Sequence, residues 1–292
     1  MLFLRWGLLF VVVVVTAAPV LAQDAAPAVA MQVERDIPFM GNKDTAGGRQ
    51  SLDVYAPTSG THHPIMVWVH GGGWRKGDKG QVALKPQAFV TKGYVFVSVN
   101  YRLVPQVTYK EQMADLAHAL AWVHGHAKQY GGNPDRIFVM GHSAGAQLVA
   151  LVAADERYLK AAGLPLTALK GIIPLDGAAY DVPQRIEKGV AGDRKAFSEV
   201  FGAGPASWKE ASATTHVAKG KGIPPYLIIH VADRELSRDQ SEHLARLLRA
   251  AGVPTHVYAA KGKTHGSLSQ DLGQPGDEPT KVVFDFLAGL NK

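Results

Sequence analysis

Short apolar runs, each the length of one strand, alternate with segments of helical spacing from about residue 51 almost to the end of this 292-residue chain. Residues 51–56 form a brief alternating run. Those at 65–69, 94–99, 136–140, 171–175, 226–231 and 255–259 are rich in β-branched or aromatic side chains and nearly continuous in apolar character, as strands buried on both faces require. Between them, 111–129 places Met113, Leu116, Leu120 and Val123 on one stripe, and 147–154 is strongly helical. Residues 237–251 turn Leu244, Leu247 and Leu248 inward and stop at Gly252, and 280–290 forms the last helix. This order predicts an α/β fold, a mostly parallel sheet with helices on both faces joined by right-handed crossovers. The rhythm fails once. Residues 177–222 are rich in Gly, Ala, Ser and charge, with a short helical hint at 196–200. Their place between two strands, at the carboxyl edge of the sheet, makes them a candidate lid or pocket wall, the alternative being a plain surface insertion.

Hydrophobic residues make up 47% of the chain, enough for one large core, and 51–292 is expected to be a single catalytic domain. There is no cysteine, which excludes a thiol nucleophile, a Cys-bound zinc and any disulfide framework. The N-terminus reads as an export signal: Arg5, an apolar run at 7–15, and small residues around Ala22 before Gln23. Residues 1–22 are therefore expected to be a cleaved signal peptide, because the apolar run falls short of the roughly 20 residues of a membrane span. Residues 23–50 then hold a polar tether and the first strand. The expected location is periplasmic or extracellular, with no stable membrane span after cleavage. A net charge of +6 comes from scattered rather than clustered Lys and Arg, so no nucleic-acid partner is expected.

The chemistry concentrates in two glycine-rich turns. Gly141-His142-Ser143-Ala144-Gly145 matches G-x-S-x-G, directly after one strand and directly before a helix. Such a turn forces its serine into a strained backbone conformation and aims a helix N-terminus at developing negative charge. His70-Gly71-Gly72-Gly73-Trp74 follows the strand at 65–69. Its glycines allow the backbone to approach a substrate and offer N–H groups to an oxyanion. Gly72 and Gly73, with the N–H of Ala144, form the expected oxyanion hole. A phosphate-cradling loop would need Gly-Lys-Ser/Thr, absent from this block. His70 is expected to brace the loop, and Trp74 to line the pocket or to pack. His118, His124 and His126 lack the i, i+4 ligand geometry of a metal helix, so neither a metal nor a cofactor is expected. Asp115 is expected to face solvent or tie down a neighbouring loop.

These two blocks, with Asn100-Tyr101-Arg102 and Gly132-Asn133-Pro134-Asp135-Arg136, resemble the α/β-hydrolase superfamily, specifically its hormone-sensitive-lipase-like and feruloyl-esterase-like (BD-FAE-like) carboxylesterases. The similarity extends from about Leu52 to the C-terminus. The resemblance implies acyl transfer through a triad in the chain order Ser, Asp, His. Ser143 is then the nucleophile and His265 the base, while Asp233, after the strand at 226–231, takes the place of the acid. Asp176, at the end of the preceding strand, and Asp239, within the next helix, are rival acids. Tyr180 joins His70 and Trp74 as a pocket candidate. The resemblance implies an exported serine carboxylesterase acting on small-molecule or glycan-linked esters: short-chain acyl, acetyl or feruloyl. The alternatives are an arylformamidase-like amide hydrolase and a non-catalytic binding module on the same fold.

Overall fold

The computed structural model describes residues 30–41, 47–189 and 192–290. The expected signal peptide, and the tether up to residue 29, lie outside the described residues. Eight strands form one sheet in the order β1-β2-β4-β3-β5-β6-β7-β8. They are β1 (Met31–Pro38), β2 (Ser51–Pro57), β3 (His63–Val69), β4 (Val95–Val99), β5 (Gly132–His142), β6 (Leu169–Leu175), β7 (Tyr226–Val231) and β8 (Thr255–Ala260). β2 is antiparallel to β1 and to β4, and every other neighbouring pair is parallel. This is the α/β-hydrolase fold.

Side-chain alternation along the strands divides the core in two. Val67 and Val69 face one buried cluster, and Met66 and Trp68 face the other. The first is covered by α2 (Tyr109–His126), α3 (Ala144–Ala154) and α9 (Glu235–Ala250), through residues such as Leu120, Leu148 and Leu244. The second is covered by α1 (Lys85–Thr91), α10 (His265–Gln270) and α11 (Glu278–Leu290), through Phe89, Leu268 and Leu287. Burying a large apolar side chain contributes about 1.5–3 kcal/mol, so both layers are tied firmly to the sheet. A capping box of Thr108 and Glu111 starts α2, two residues before the expected boundary. Asp115 on α2 is buried. It grips the guanidinium of Arg102 at 2.7–3.1 Å and accepts from Gln50, holding the loop after β4.

Two short helices near the carboxyl edge, α1 and α10, lack any clear apolar periodicity and were not expected. The α4 helix (Glu156–Ala161), capped by Asp155, was likewise missed. The insertion at 177–222 is more ordered than its composition implies. It contains α5 (Val182–Glu187), α6 (Asp193–Phe201), α7 (Pro205–Glu210) and α8 (Ala213–His216). These helices are too short to show a periodic stripe. They are held instead by a few large anchors, among them Phe201 and Trp208.

Parallel register brings the ends of the central strands to one edge. Val69 of β3 pairs with Gly141 of β5, His142 with Leu175 of β6, and Leu175 with Ile229 of β7. Whatever follows these strands meets at that edge, where open parallel sheets place their ligands.

Candidate active site

Ser143 sits at the tip between β5 and α3 with φ 57° and ψ −116°, a backbone conformation rare for any side chain larger than glycine. Its N–H donates to Leu175 O at 2.9 Å, which ties the turn to the neighbouring strand. The turn is tight because α3 lies close against β3. A Cβ on Gly145 would come within 2.3 Å of Val69 O, so glycine is required there by contact with the backbone. The helix starts at Ala144, whose N–H, at the first turn, has no intrahelical acceptor.

His265 reaches this serine. Its Nε2 lies 2.9 Å from Ser143 Oγ, and its Nδ1 lies 2.6 Å from Asp176 Oδ2. The imidazole is the first residue of α10. Thr264 caps that helix, its side chain accepting from Ser267 N–H while Ser267 Oγ accepts from Thr264 N–H. His265 thus sits on a capped helical turn, and the cap fixes the direction in which it leaves the backbone.

The carboxylate beside His265 is not the one expected from the sequence. Asp233 is exposed and does not meet the imidazole; Asp176 does, from the end of β6. Asp176 has φ 49°, a second strained non-glycine position at the same edge. Its Oδ1 accepts from Val231 N–H at 3.0 Å. Burial alone would raise its pKa. Hydrogen bonds from His265, Ser237 and the Val231 N–H, with the charge of Arg234, outweigh burial and hold the carboxyl well below the usual range. Arg234, from the end of β7, is ion-paired with Asp176 Oδ2 on the same side of the imidazole. Asp239, the other rival, pairs with Lys188 at 3.1 Å instead.

His142 and His70 brace the site while neutral. His142 stacks obliquely on His265 with ring centroids 4.5 Å apart, and its Nε2 donates to His265 O at 2.8 Å. Burial, reinforced by the nearby His265, pushes its pKa down to about 3. His70 is also buried, which lowers its pKa to about 4. Its Nδ1 donates to Gly71 O at 2.7 Å, and its ring stacks on Tyr101 at 4.4 Å. A trans peptide points its C=O and N–H in opposite directions. Holding Gly71 O therefore directs the Gly72 N–H away from His70. Gly72 O, accepting from Arg75 and Lys76 N–H at 3.2 and 3.1 Å, sets the Gly73 N–H in the same way. Gly72 has φ +120°, and a Cβ there would meet Lys76 O at 2.0 Å, so that position admits only glycine.

Ser143, His265, His70 and Gly71 to Gly73 line one cavity of about 860 Å³. Two pocket candidates lie elsewhere. Tyr180 is fully buried against Gly177 and away from the cavity, so it is a packing residue. Trp74 packs edge-on to Phe201 and Phe197 of α6 at 4.9 and 5.8 Å, and donates from Nε1 to Gln147 Oε1. Among the described residues, the insertion lines none of this cavity; it clamps the glycine loop from behind. Arg75 adds a 2.6 Å ion pair to Glu199. No group of three or more His, Asp or Glu residues converges as metal ligands would among the described residues.

The family model BD-FAE matches residues 52–248. The chain is 32% identical over 73% of its length to the carboxylesterase NlhH of Mycobacterium tuberculosis, spanning 69% of that protein. It is 27% identical over 89% of its length to a probable isoprenylcysteine α-carbonyl methylesterase of Arabidopsis thaliana, spanning 63% of it. The chain covers only 49% to 63% of the length of the Arabidopsis relatives it matches. Among solved structures, a truncated carbohydrate esterase from gut microbiota superposes with a TM-score of 0.77 at 19% identity, over 91% of this chain and 98% of that one.

Proposed function

Because this chain belongs to the BD-FAE family, we propose that it is an exported serine carboxylesterase in which Ser143, His265 and Asp176 form the triad. The observation that carries this reading is the position of His265, within hydrogen-bond reach of Ser143 Oγ and of Asp176 at once. As Oγ attacks the ester carbonyl carbon, His265 Nε2 takes the hydroxyl proton. Asp176 holds the Nδ1–H tautomer and balances the charge of the imidazolium. Negative charge collects on the former carbonyl oxygen, facing the N–H groups of Gly72, Gly73 and Ala144. The carbon–oxygen bond to the alcohol then breaks, and His265 returns the proton to that oxygen. Water attacks the acyl-enzyme by the same route, releasing the acid and restoring Ser143. No cofactor takes part.

The names of the relatives support an ester as the bond broken, and short-chain acyl or acetyl/feruloyl esters are the proposed substrate class. The residues before Gln23 support export. Ser143→Ala is the direct test: hydrolysis of p-nitrophenyl acetate and labelling by a fluorophosphonate probe should both disappear, with the melting temperature kept. Full activity in that variant would sink the assignment. Expression with the full leader should give a mature chain beginning at Gln23 outside the cytoplasm, and an uncut chain retained inside overturns export.

A further inference from the structure

The wall of the Ser143 cavity contains an amine that the triad does not use. Lys85, the first residue of α1, is only 1% exposed, yet it lines the cavity beside Trp68 and Ser269. Its Nζ donates to Ser269 O at 2.5 Å and sits 4.5 Å over the Trp68 ring. Among the described residues no carboxylate pairs with it. A buried ammonium is ordinarily matched by a counter-charge, because leaving water without one is costly. Burial alone lowers the pKa of Lys85 to about 8, so most of it is still protonated at neutral pH. Its charge is felt across the cavity, where it helps keep His142 neutral.

The remaining charged groups of the lining are also cationic. Arg75 is matched by Glu199 on α6, whereas Lys76 stands at the exposed rim. No Asp or Glu lines the cavity among the described residues. Among the described residues, the cavity therefore holds two lysines without a matching carboxylate, one of them buried against an aromatic face. A neutral ester would leave that imbalance in place. An ester that carries its own carboxylate would supply the missing counter-charge where the field is least screened by solvent.

We propose that Lys85, with Lys76 at the rim, forms a carboxylate-binding subsite, and that this cavity selects esters bearing a carboxylate over neutral ones. The proposal rests on the carboxylesterase reading above. The carboxylate can reside on the acyl or on the alcohol part of the ester, and the two are separated by paired substrates. Mono-p-nitrophenyl succinate against p-nitrophenyl valerate probes the acyl side. Para-acetoxybenzoate against para-acetoxybenzamide probes the alcohol side. In wild type, kcat/KM is expected to favour the anionic member of one pair by about tenfold or more, equivalent to about 1.4 kcal/mol. Lys85→Gln, which keeps a donor for Ser269 O, should collapse that ratio toward one, and Lys85→Arg should restore most of it. Added salt should weaken the part due to Lys76 more than the part due to Lys85. A ratio near one in both pairs for wild type, or a ratio unchanged in Lys85→Gln, overturns the subsite. If wild type hydrolyses none of the four, the esterase reading fails. Calorimetric binding of the same pairs to Ser143→Ala then decides the subsite: tighter binding of an anionic member, lost with Lys85→Gln, supports it, and equal binding overturns it.

Discussion

β6 and β7 run side by side, and each is followed by an aspartate. Asp176 comes directly after Leu175, takes a positive φ, and turns its carboxylate under the imidazole. Asp233 comes two residues after Val231, in a turn closed by Arg234 N–H to Val231 O at 3.2 Å, and that turn faces it to solvent. The residue that points inward from the end of β7 is Arg234, and it goes to Asp176. The difference follows from which side chain the backbone turns inward at each strand end. β6 is the hydrogen-bonded neighbour of β5, so its first loop residue lies beside Ser143, and Ser143 N–H is bonded to Leu175 O. From the end of β7 it is Arg234, not an acid, that approaches the site, and it is paired with Asp176.

Removing each aspartate in turn has the largest expected effect. Asp176→Asn should lower kcat by about 10³–10⁴-fold, since the imidazole would lose both its tautomer and its counter-charge. A loss of that size in Asp233→Asn, with Asp176→Asn active, would reverse the roles of the two strand ends. The next effect in size concerns the glycine loop. His70→Phe keeps the stack on Tyr101 but frees Gly71 O, and kcat should fall by about 10–100-fold as the oxyanion donors lose their aim. Stopped or steady-state assays with p-nitrophenyl acetate read both losses. Unchanged kcat in His70→Phe would mean that the loop is held by Gly72 O alone.

The pH dependence of stability extends the comparison to histidines buried as neutral groups. His142 and His70 have folded pKa values of about 3 and about 4, below the unfolded value near 6.5. Between these limits the unfolded chain binds protons that the folded chain refuses. Their contribution is therefore fully present above about pH 6.5 and is lost as pH falls, by roughly 1.4 kcal/mol per unit for each histidine. Urea unfolding at pH 7 and at pH 5 should show this decline, and His142→Asn should make it shallower. A slope unaffected by that variant would place the proton uptake elsewhere. The smallest effect is expected from Asp233→Asn, within about twofold in kcat/KM, as befits an exposed side chain away from the imidazole.

Much of the site was legible because its signals are local. Strand, G-x-S-x-G and helix are contiguous in the chain, so Ser143 follows from one short stretch and from the sterics of its turn. The triple glycine after β3 was equally plain, and so was a histidine after the last strand. The structure moved Tyr180 and Trp74 out of the pocket because their surroundings come from distant segments: Tyr180 is enclosed by the core, and Trp74 is captured by α6. α1 and α10 leave no readable pattern in the sequence because helices of seven and six residues are too short to show one. Lys85 is hidden in the sequence for the same reason. A lysine in a short polar stretch reads as surface, and only the packing of α1 against Trp68 and Ser269 buries it.

The α/β alternation, the strained serine turn, the glycine loop and the histidine after the last strand are all written in the sequence, since each is encoded within a few consecutive residues by periodicity or backbone sterics. Only the folded chain shows which aspartate meets His265 and which lysine is buried in the cavity wall. Those choices depend on which side chain each strand end turns inward and which fills the space beside the imidazole. An aspartate one residue past β6 and another two residues past β7 read alike in the sequence, and only the folded turns separate them.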